Sequence, residues 1–356
     1  MSPEESPLKG PVLIVRTDAV GDLVMTTPML ALLKRHAPNV EVDVLVSRRA
    51  SPVVEGNRNV RKVLIDPVKL NERVRLIGKG DYEWAVVARP EPEIALAVWL
   101  SGIPHRVGTS RRFYSPLFNH RLSIARRLGG RHEAEYNAAL LSPLGVSADK
   151  VPWVRLTVTD GYRNSARQVL REAGLSHEIA YVVVHAGSRG SAPNLPYSTY
   201  AEIVRGLRQR ELAVVLTGTQ GETAPLVALL ADPRGGNGRG EHAKGAPLID
   251  LSGRTDLPSL IGVLAGARLV IASSTGPLHL AAAAGTPVLA PYGLRPAVAA
   301  HRWKPWVDAQ YATLVAPGEA MCPVRCKGRC GREGCLATLQ AEAFLKAVDG
   351  RLKGIV

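Results

Sequence analysis

The stretch from Leu248 to Gly293 limits the folds open to this chain more than any other. Arg268 to Ala272 reads as a buried strand, because the run is short, apolar and rich in β-branched residues. Ser273, Ser274 and Thr275 follow as a loop of candidate N-caps. Gly276 and Pro277 then open a helix, where proline is tolerated because its missing N–H would be unpaired anyway. Pro287 to Leu289 supplies the next strand. A strand emptying through such a turn into a helix N-terminus offers free N–H groups and a positive dipole end to an anion such as phosphate. The plainer reading of the same residues is an ordinary strand–helix–strand unit of a parallel sheet.

The rest of the chain repeats this alternation. In the first half, strands are predicted at Val12–Val15, Glu41–Val46, Lys62–Ile65, Trp84–Ala88 and His105–Gly108. Helical stretches are predicted at Ser51–Gly56, Lys69–Ile77, Pro92–Ser101 and His132–Leu141. Ser147 to Asp160 reads as a crossing into a second half. There, strands Ile179–Val184 and Leu212–Leu216 alternate with helices at Arg163–Ala173, Ser198–Arg210 and from about Glu222. Such βα alternation implies parallel sheets covered on both faces. A length of 356 residues fits two domains, placed at 1–150 and 151–340, with a closing helix over 341–356.

Net charge bears on partners. Forty-five Lys and Arg against 31 Asp and Glu leave +14, which suits nucleic acid, an anionic membrane face or an anionic small substrate. The arginines are scattered, and no compact basic-aromatic module reads as a nucleic-acid binder, so no nucleic-acid partner is expected. Arg106, Arg111, Arg112, Arg121, Arg126, Arg127 and Arg131 gather in one region, as a solvated face or as an acceptor surface. No apolar run approaches membrane-spanning length, and the acidic opening lacks a secretory apolar region. The expected location is therefore cytoplasmic, with peripheral contact at the inner face of the cytoplasmic membrane.

Arg16 to Asp22 follows the first strand as a loop. The next helix starts either near Gly21, with a kink at Pro28, or at Thr27 as N-cap; the earlier start is preferred. Asp22 then lies in the first helical turn. There a carboxylate serves as a capping charge, or as a reactive group at the carboxyl end of a strand, where open α/β sheets bind ligands.

Two strings carry a resemblance. One is Ser274, Thr275, Gly276, Pro277, His279, Leu280, Ala281, Ala282, Gly285, Thr286, Pro287, Tyr292 and Gly293; the other is Arg16-Thr17 followed by Gly21-Asp22, Thr26 and Pro28. Together they resemble family 9 glycosyltransferases, the heptosyltransferase-like enzymes, over roughly residues 11 to 340. The resemblance implies an α/β fold of GT-B architecture, with two Rossmann-like doubly wound parallel-sheet domains facing a cleft. It implies an inverting, metal-independent transfer of a heptose-like sugar from a nucleoside-diphosphate donor (ADP-heptose-like), with no further cofactor. The acceptor is an anionic or lipid-linked glycan of the cell envelope. Asp22 is the implied general base. Thr17, Gly21, His185, Gly187, Ser188, Thr217, Thr255, Asp256, Ser274, Thr275, Gly276, Pro277 and His279 are the implied donor-site residues, although His279 also suits a core position. The closing helix, in this architecture, packs back on the first domain.

The chain departs from the family where a lysine usually meets the leaving diphosphate. That position is Pro193, and a tryptophan position is Leu195. Arg189, in the same loop, is the expected substitute cation, since a guanidinium binds phosphate well. The loss of the lysine keeps open a second reading, a nucleotide-sugar-binding scaffold of the same fold, and an epimerase-like enzyme is a third. Cys322, Cys326, Cys330 and Cys335 are spaced C-x3-C-x3-C-x4-C. Four thiolates in one segment can hold zinc or an iron–sulfur cluster or pair as disulfides, but the spacing lacks the usual C-x2-C pair, and a loop without metal is the expectation. Pro233 to Ala246, rich in Gly, Arg and Asn, reads as a surface loop.

Overall fold

A computed structural model describes residues 8, 10–124, 126, 130–176, 178–188, 190–232, 245–295, 298–318 and 334–352. The chain divides into two compact units, Met1–Thr157 and Val158–Val356.

The first unit holds six strands: β1 (Val12–Arg16), β2 (Val42–Val46), β3 (Lys62–Ile65), β4 (Trp84–Val87), β5 (His105–Thr109) and β6 (His120–Leu122). All pair in parallel, in the order β3-β2-β1-β4-β5-β6. Every residue of β1, β2 and β4 is buried, as expected when helices cover both faces. Leu13, Val15, Leu45, Ala85 and Val87 pack with Ile94 and Val98 on one face.

In the second unit β7 (Tyr181–His185), β8 (Ala213–Thr217), β9 (Leu248–Asp250), β10 (Leu269–Ala272), β11 (Val288–Pro291) and β12 (Ala312–Val315) pair in parallel, in the order β12-β11-β10-β7-β8-β9. Counted from its own first strand, the order repeats that of the first unit. In each sheet the winding reverses once, between β1 and β4 and between β7 and β10. The carboxyl ends at those two reversals are where doubly wound sheets bind ligands.

The sequence reading fails at short edges. β6, β9 and β12 went unpredicted: β6 and β9 are only three residues long, and β12 is half-buried, so none carries a long apolar run. Ser51–Gly56 is not an α-helix; a 3₁₀ turn occupies Arg48–Val53 and contains Pro52. The closing helix runs over Ala341–Leu352, after a separate 3₁₀ turn, Gly334–Thr338. The apolar face of that helix (Phe344, Leu345 and Val348) lies in the core of the second unit, with Tyr200, Val204 and Leu207. Leu345 packs so tightly on Gly206 that a β-carbon there would sit 2.4 Å from its Cδ1. Among the described residues, no helix is long and apolar enough to cross a membrane.

Candidate active site

The first candidate centre lies at the end of β1. Val20–Val24 forms a single helical turn, α1, and Thr27–His36 forms a second helix, α2. Both expected helix starts are therefore present, separated by a break. Pro28 has no N–H to donate to the Val24 carbonyl. The Thr27 hydroxyl donates to it instead, at 2.8 Å, and the Thr26 hydroxyl donates to the Asp22 carbonyl, also at 2.8 Å. Two threonine side chains thus satisfy the carbonyls at the break and hold Asp22 in the short turn that faces the strand end.

Arg16, expected in the loop, is the last residue of β1 and only 2% exposed. Its guanidinium organises the centre. Nε donates to Asp18 Oδ1 at 2.7 Å, and Nη1 donates to the Ala88 carbonyl at 3.2 Å and to Asn137 Oδ1 at 3.4 Å. Nη2 donates to Asp22 Oδ1. Buried charge costs heavily unless paired and hydrogen-bonded, and here every guanidinium nitrogen has an oxygen partner. Burial lowers the Arg16 proton affinity, but Asp18, Asp22 and Glu133 outweigh it, so the net direction is upward. Asp22 is pushed up to about 6, first by burial, with Asp18 and Glu133 adding and Arg16 and Arg126 opposing. A carboxylate so placed is a good proton acceptor near neutral pH. The Thr17 hydroxyl oxygen is buried there without a hydrogen-bond partner.

The predicted arginine cluster is not one surface. Arg106 turns back onto the carbonyls of Leu117 (2.9 Å) and Ile103 (2.6 Å). Arg126 donates to Asn137 Oδ1 at 2.9 Å and lies 3.5 Å from Glu133. Arg111, Arg112, Arg121 and Arg131 are exposed, and Arg127 lies outside the described residues.

The second candidate centre lies at the ends of β7, β8 and β10. His185 Nδ1 meets the Thr217 hydroxyl at 2.9 Å, which ties two neighbouring strand ends together. The loop after β7 is then pinned from within. Asn194 donates to the Ala186 carbonyl at 3.0 Å and accepts from the Ser273 hydroxyl, which lies 3.0 Å from the Tyr200 hydroxyl. The Ser191 hydroxyl donates to the Ser188 carbonyl at 2.6 Å. A β-carbon at Gly187 would sit 2.8 Å from the Glu222 carboxyl carbon, so a larger residue there would have to displace that side chain.

After β10, helix α10 runs Gly276–Ala283 with Thr275 as N-cap and Pro277 in the first turn. Thr275 makes no capping hydrogen bond, because its hydroxyl turns back to the Ser273 carbonyl at 3.2 Å. The first-turn N–H groups of Gly276 and Leu278 therefore keep their dipole for an anion. The Tyr292 hydroxyl donates to the Trp303 carbonyl at 2.6 Å. His279 is 3% exposed, with its ring centre 6.4 Å from that of Trp303.

Thr255 is half-buried beyond β9. Asp256 N-caps helix α9 (Leu257–Gly266), accepting from the Ser259 N–H at 2.9 Å. Arg189, Cys322, Cys326 and Cys330 lie outside the described residues, as does 233–244 of the predicted surface loop. Cys335 is half-buried, and its sulfur accepts from the Leu294 N–H at 3.3 Å. Sequence reasoning named Arg16 in the opening motif and Ser273 among the candidate N-caps without giving either a role in a site, and missed Asn137, Asn194 and Tyr200, which carry no local signal.

The family model described as glycosyltransferase family 9 (heptosyltransferase) matches residues 72–327. A putative glycosyltransferase of Haemophilus influenzae is 29% identical over 86% of this chain and 89% of its own length. Lipopolysaccharide heptosyltransferase 3 of Escherichia coli is 24% identical over 81% of this chain and 83% of its own. The solved structure of E. coli ADP-heptose lps heptosyltransferase II superposes with a TM-score of 0.78 at 20% identity, covering 97% of this chain and 99% of that one. Its fold and the two six-stranded parallel sheets agree with the GT-B class. With the family model covering most of the chain, including β7 to β12 and α10, this protein belongs to glycosyltransferase family 9.

Proposed function

We propose that this glycosyltransferase moves a heptose-type sugar, with inversion, from a nucleoside-diphosphate donor to an anionic, lipid-linked glycan of the cell envelope. The observation that carries the reading is Asp22, a largely buried carboxylate pushed up to about 6 and held on Arg16 at a sheet reversal. Asp22 takes the proton of the acceptor hydroxyl as that oxygen bonds to the anomeric carbon. The bond from that carbon to the diphosphate breaks with its electron pair, and the nucleoside diphosphate leaves. A single displacement inverts the centre. The uncapped N-terminus of α10 suits the charge developing on the leaving phosphates, and needs no metal ion to do so. The relatives' names, lipopolysaccharide heptosyltransferase and ADP-heptose lps heptosyltransferase, support heptose, adenine and a lipopolysaccharide-type acceptor.

Peripheral membrane contact fits the same reading. Phe113, 87% exposed, stands beside the exposed Arg111 and Arg112 in the loop leaving the carboxyl end of β5. An aromatic ring flanked by cations suits an anionic lipid surface.

The test of the reading is Asp22→Asn, assayed for transfer and for donor binding. The variant should bind the donor as wild type does and lose transfer on the order of 10²-fold or more. Near-normal turnover would remove Asp22 from the role of base.

A further inference from the structure

Asn137 lies on helix α5 (Glu133–Ala138), 115 residues from Asp22 in sequence, and is fully buried. Its side chain makes four hydrogen bonds, the full donor and acceptor complement of an amide. Oδ1 accepts from Arg16 at 3.4 Å and from Arg126 at 2.9 Å. Nδ2 donates to the Met25 carbonyl at 3.1 Å and to the Thr26 hydroxyl at 3.4 Å. Met25 and Thr26 form the break between α1 and α2.

Asp22 is held in two places. Its carboxylate accepts from Arg16, and its backbone carbonyl accepts from Thr26. Both holders are bonded to Asn137. We propose that Asn137 is a positioning residue for transfer: it aims the Arg16 guanidinium and fixes the α1–α2 break, so that the Asp22 carboxylate keeps one orientation. The proposal rests on the reading of Asp22 as the base.

A simple packing role explains the contacts less well. An apolar residue of similar size would fill the space without bonding two guanidinium groups and a helix break. The choice of a neutral amide also matters electrostatically. The groups facing Asp22 are Arg16 from β1, Asp18 from the following loop, Arg126 from the segment before α5, and Glu133 from α5 itself. A third acidic neighbour in place of Asn137 would tilt that balance against ionised Asp22.

Two variants test the proposal, each measured as kcat, donor KM and pH profile of the full-length enzyme. Asn137→Ala should lower kcat on the order of tenfold or more and leave donor KM within about twofold, because alignment of a base is worth such factors. Asn137→Asp is nearly isosteric and keeps the acceptor for both guanidinium groups, so it also serves if the alanine variant does not fold. It should move the acid limb of the kcat profile to higher pH through the added charge facing Asp22, and also lower kcat with donor KM retained, because the two Nδ2 donors to the α1–α2 break are lost. Wild-type kcat in a folded Asn137→Ala, or an unmoved limb in Asn137→Asp, overturns the proposal. Asp22→Asn separates the two levels. If it stays active, the reading of the base fails; if it is inactive while the Asn137 variants behave as wild type, only the positioning role fails.

Discussion

Arg16 and Asp22 stand six residues apart, one the last residue of a buried strand and the other in the first turn beyond it, and their side chains are hydrogen-bonded. The cation is 2% exposed and shared with Asp18. Asp22 therefore has a fixed partner, yet burial and two further carboxylates still raise its proton affinity. Buried ion pairs often cost more in desolvation than they return in stability. Here the arrangement leaves a carboxylate pushed up to about 6, as the proposed role of Asp22 as base requires.

That titration predicts the pH profile. The proposed base works ionised, so turnover should hold above about pH 6 and fall roughly tenfold per unit below it. Stability should run the other way at this one group. Its folded value lies above the ordinary 3.8, so between about pH 4 and 6 the folded state holds the extra proton, and the contribution of Asp22 falls as pH rises through that window. Asp22→Asn should abolish that part of the slope, as read by thermal unfolding against pH. An acid limb centred near the ordinary carboxylate value would reject the assignment.

Arg16→Lys should fail where a conservative change is usually tolerated. One ammonium cannot reproduce a fork that reaches Asp18, Asp22, Ala88 and Asn137 at once. Transfer should drop at least tenfold with donor affinity retained. Arg16→Ala leaves the partly buried carboxylates of Asp18 and Asp22 without this cation and should cost about 1–3 kcal/mol of stability in denaturant titration. An alanine variant as stable as wild type would show that the cation is dispensable.

Ser273→Ala probes the second centre. It removes the hydroxyl that joins Asn194 and Tyr200, at a cost of about 1–3 kcal/mol for the buried groups left without it. Because Asn194 then loses its anchor just beyond β10, nucleoside-diphosphate binding should weaken while the pH limb assigned to Asp22 stays in place. Isothermal titration with ADP measures the first effect, and unchanged affinity would count against a role for this loop in donor binding.

Arg189 stands four residues before Pro193, the position where the family has lysine. Arg189→Ala should weaken nucleoside-diphosphate binding and slow transfer, with or without EDTA, and Arg189→Lys should restore part of either. If the alanine variant binds and turns over as wild type does, Arg254, Arg295 and Lys304 are the next cations to substitute.

Much of this protein was legible in its sequence because the relevant physics is local. Short β-branched runs between amphipathic stretches determine parallel sheets, so β1, β7 and β10 fall close to their predicted places. A Thr-Gly-Pro string after a strand determines a helix start, and α10 begins at Gly276 as read. Asp22 could be picked out because its neighbours Gly21, Thr26 and Pro28 form one continuous motif. What the tertiary structure alone decided is what those residues touch. Arg16 reads as a loop cation until β1 and β4 lie side by side and bring the Ala88 carbonyl to it. Asn137 sits in a helix with no local mark of function, and meets Met25 and Thr26 only when α5 packs beside α2. Asn194 and Ser273 are 79 residues apart and join because β7 and β10 are neighbours at the sheet reversal. Strand order is set by which apolar faces can be buried together, a property of the whole chain, and no window of sequence contains it.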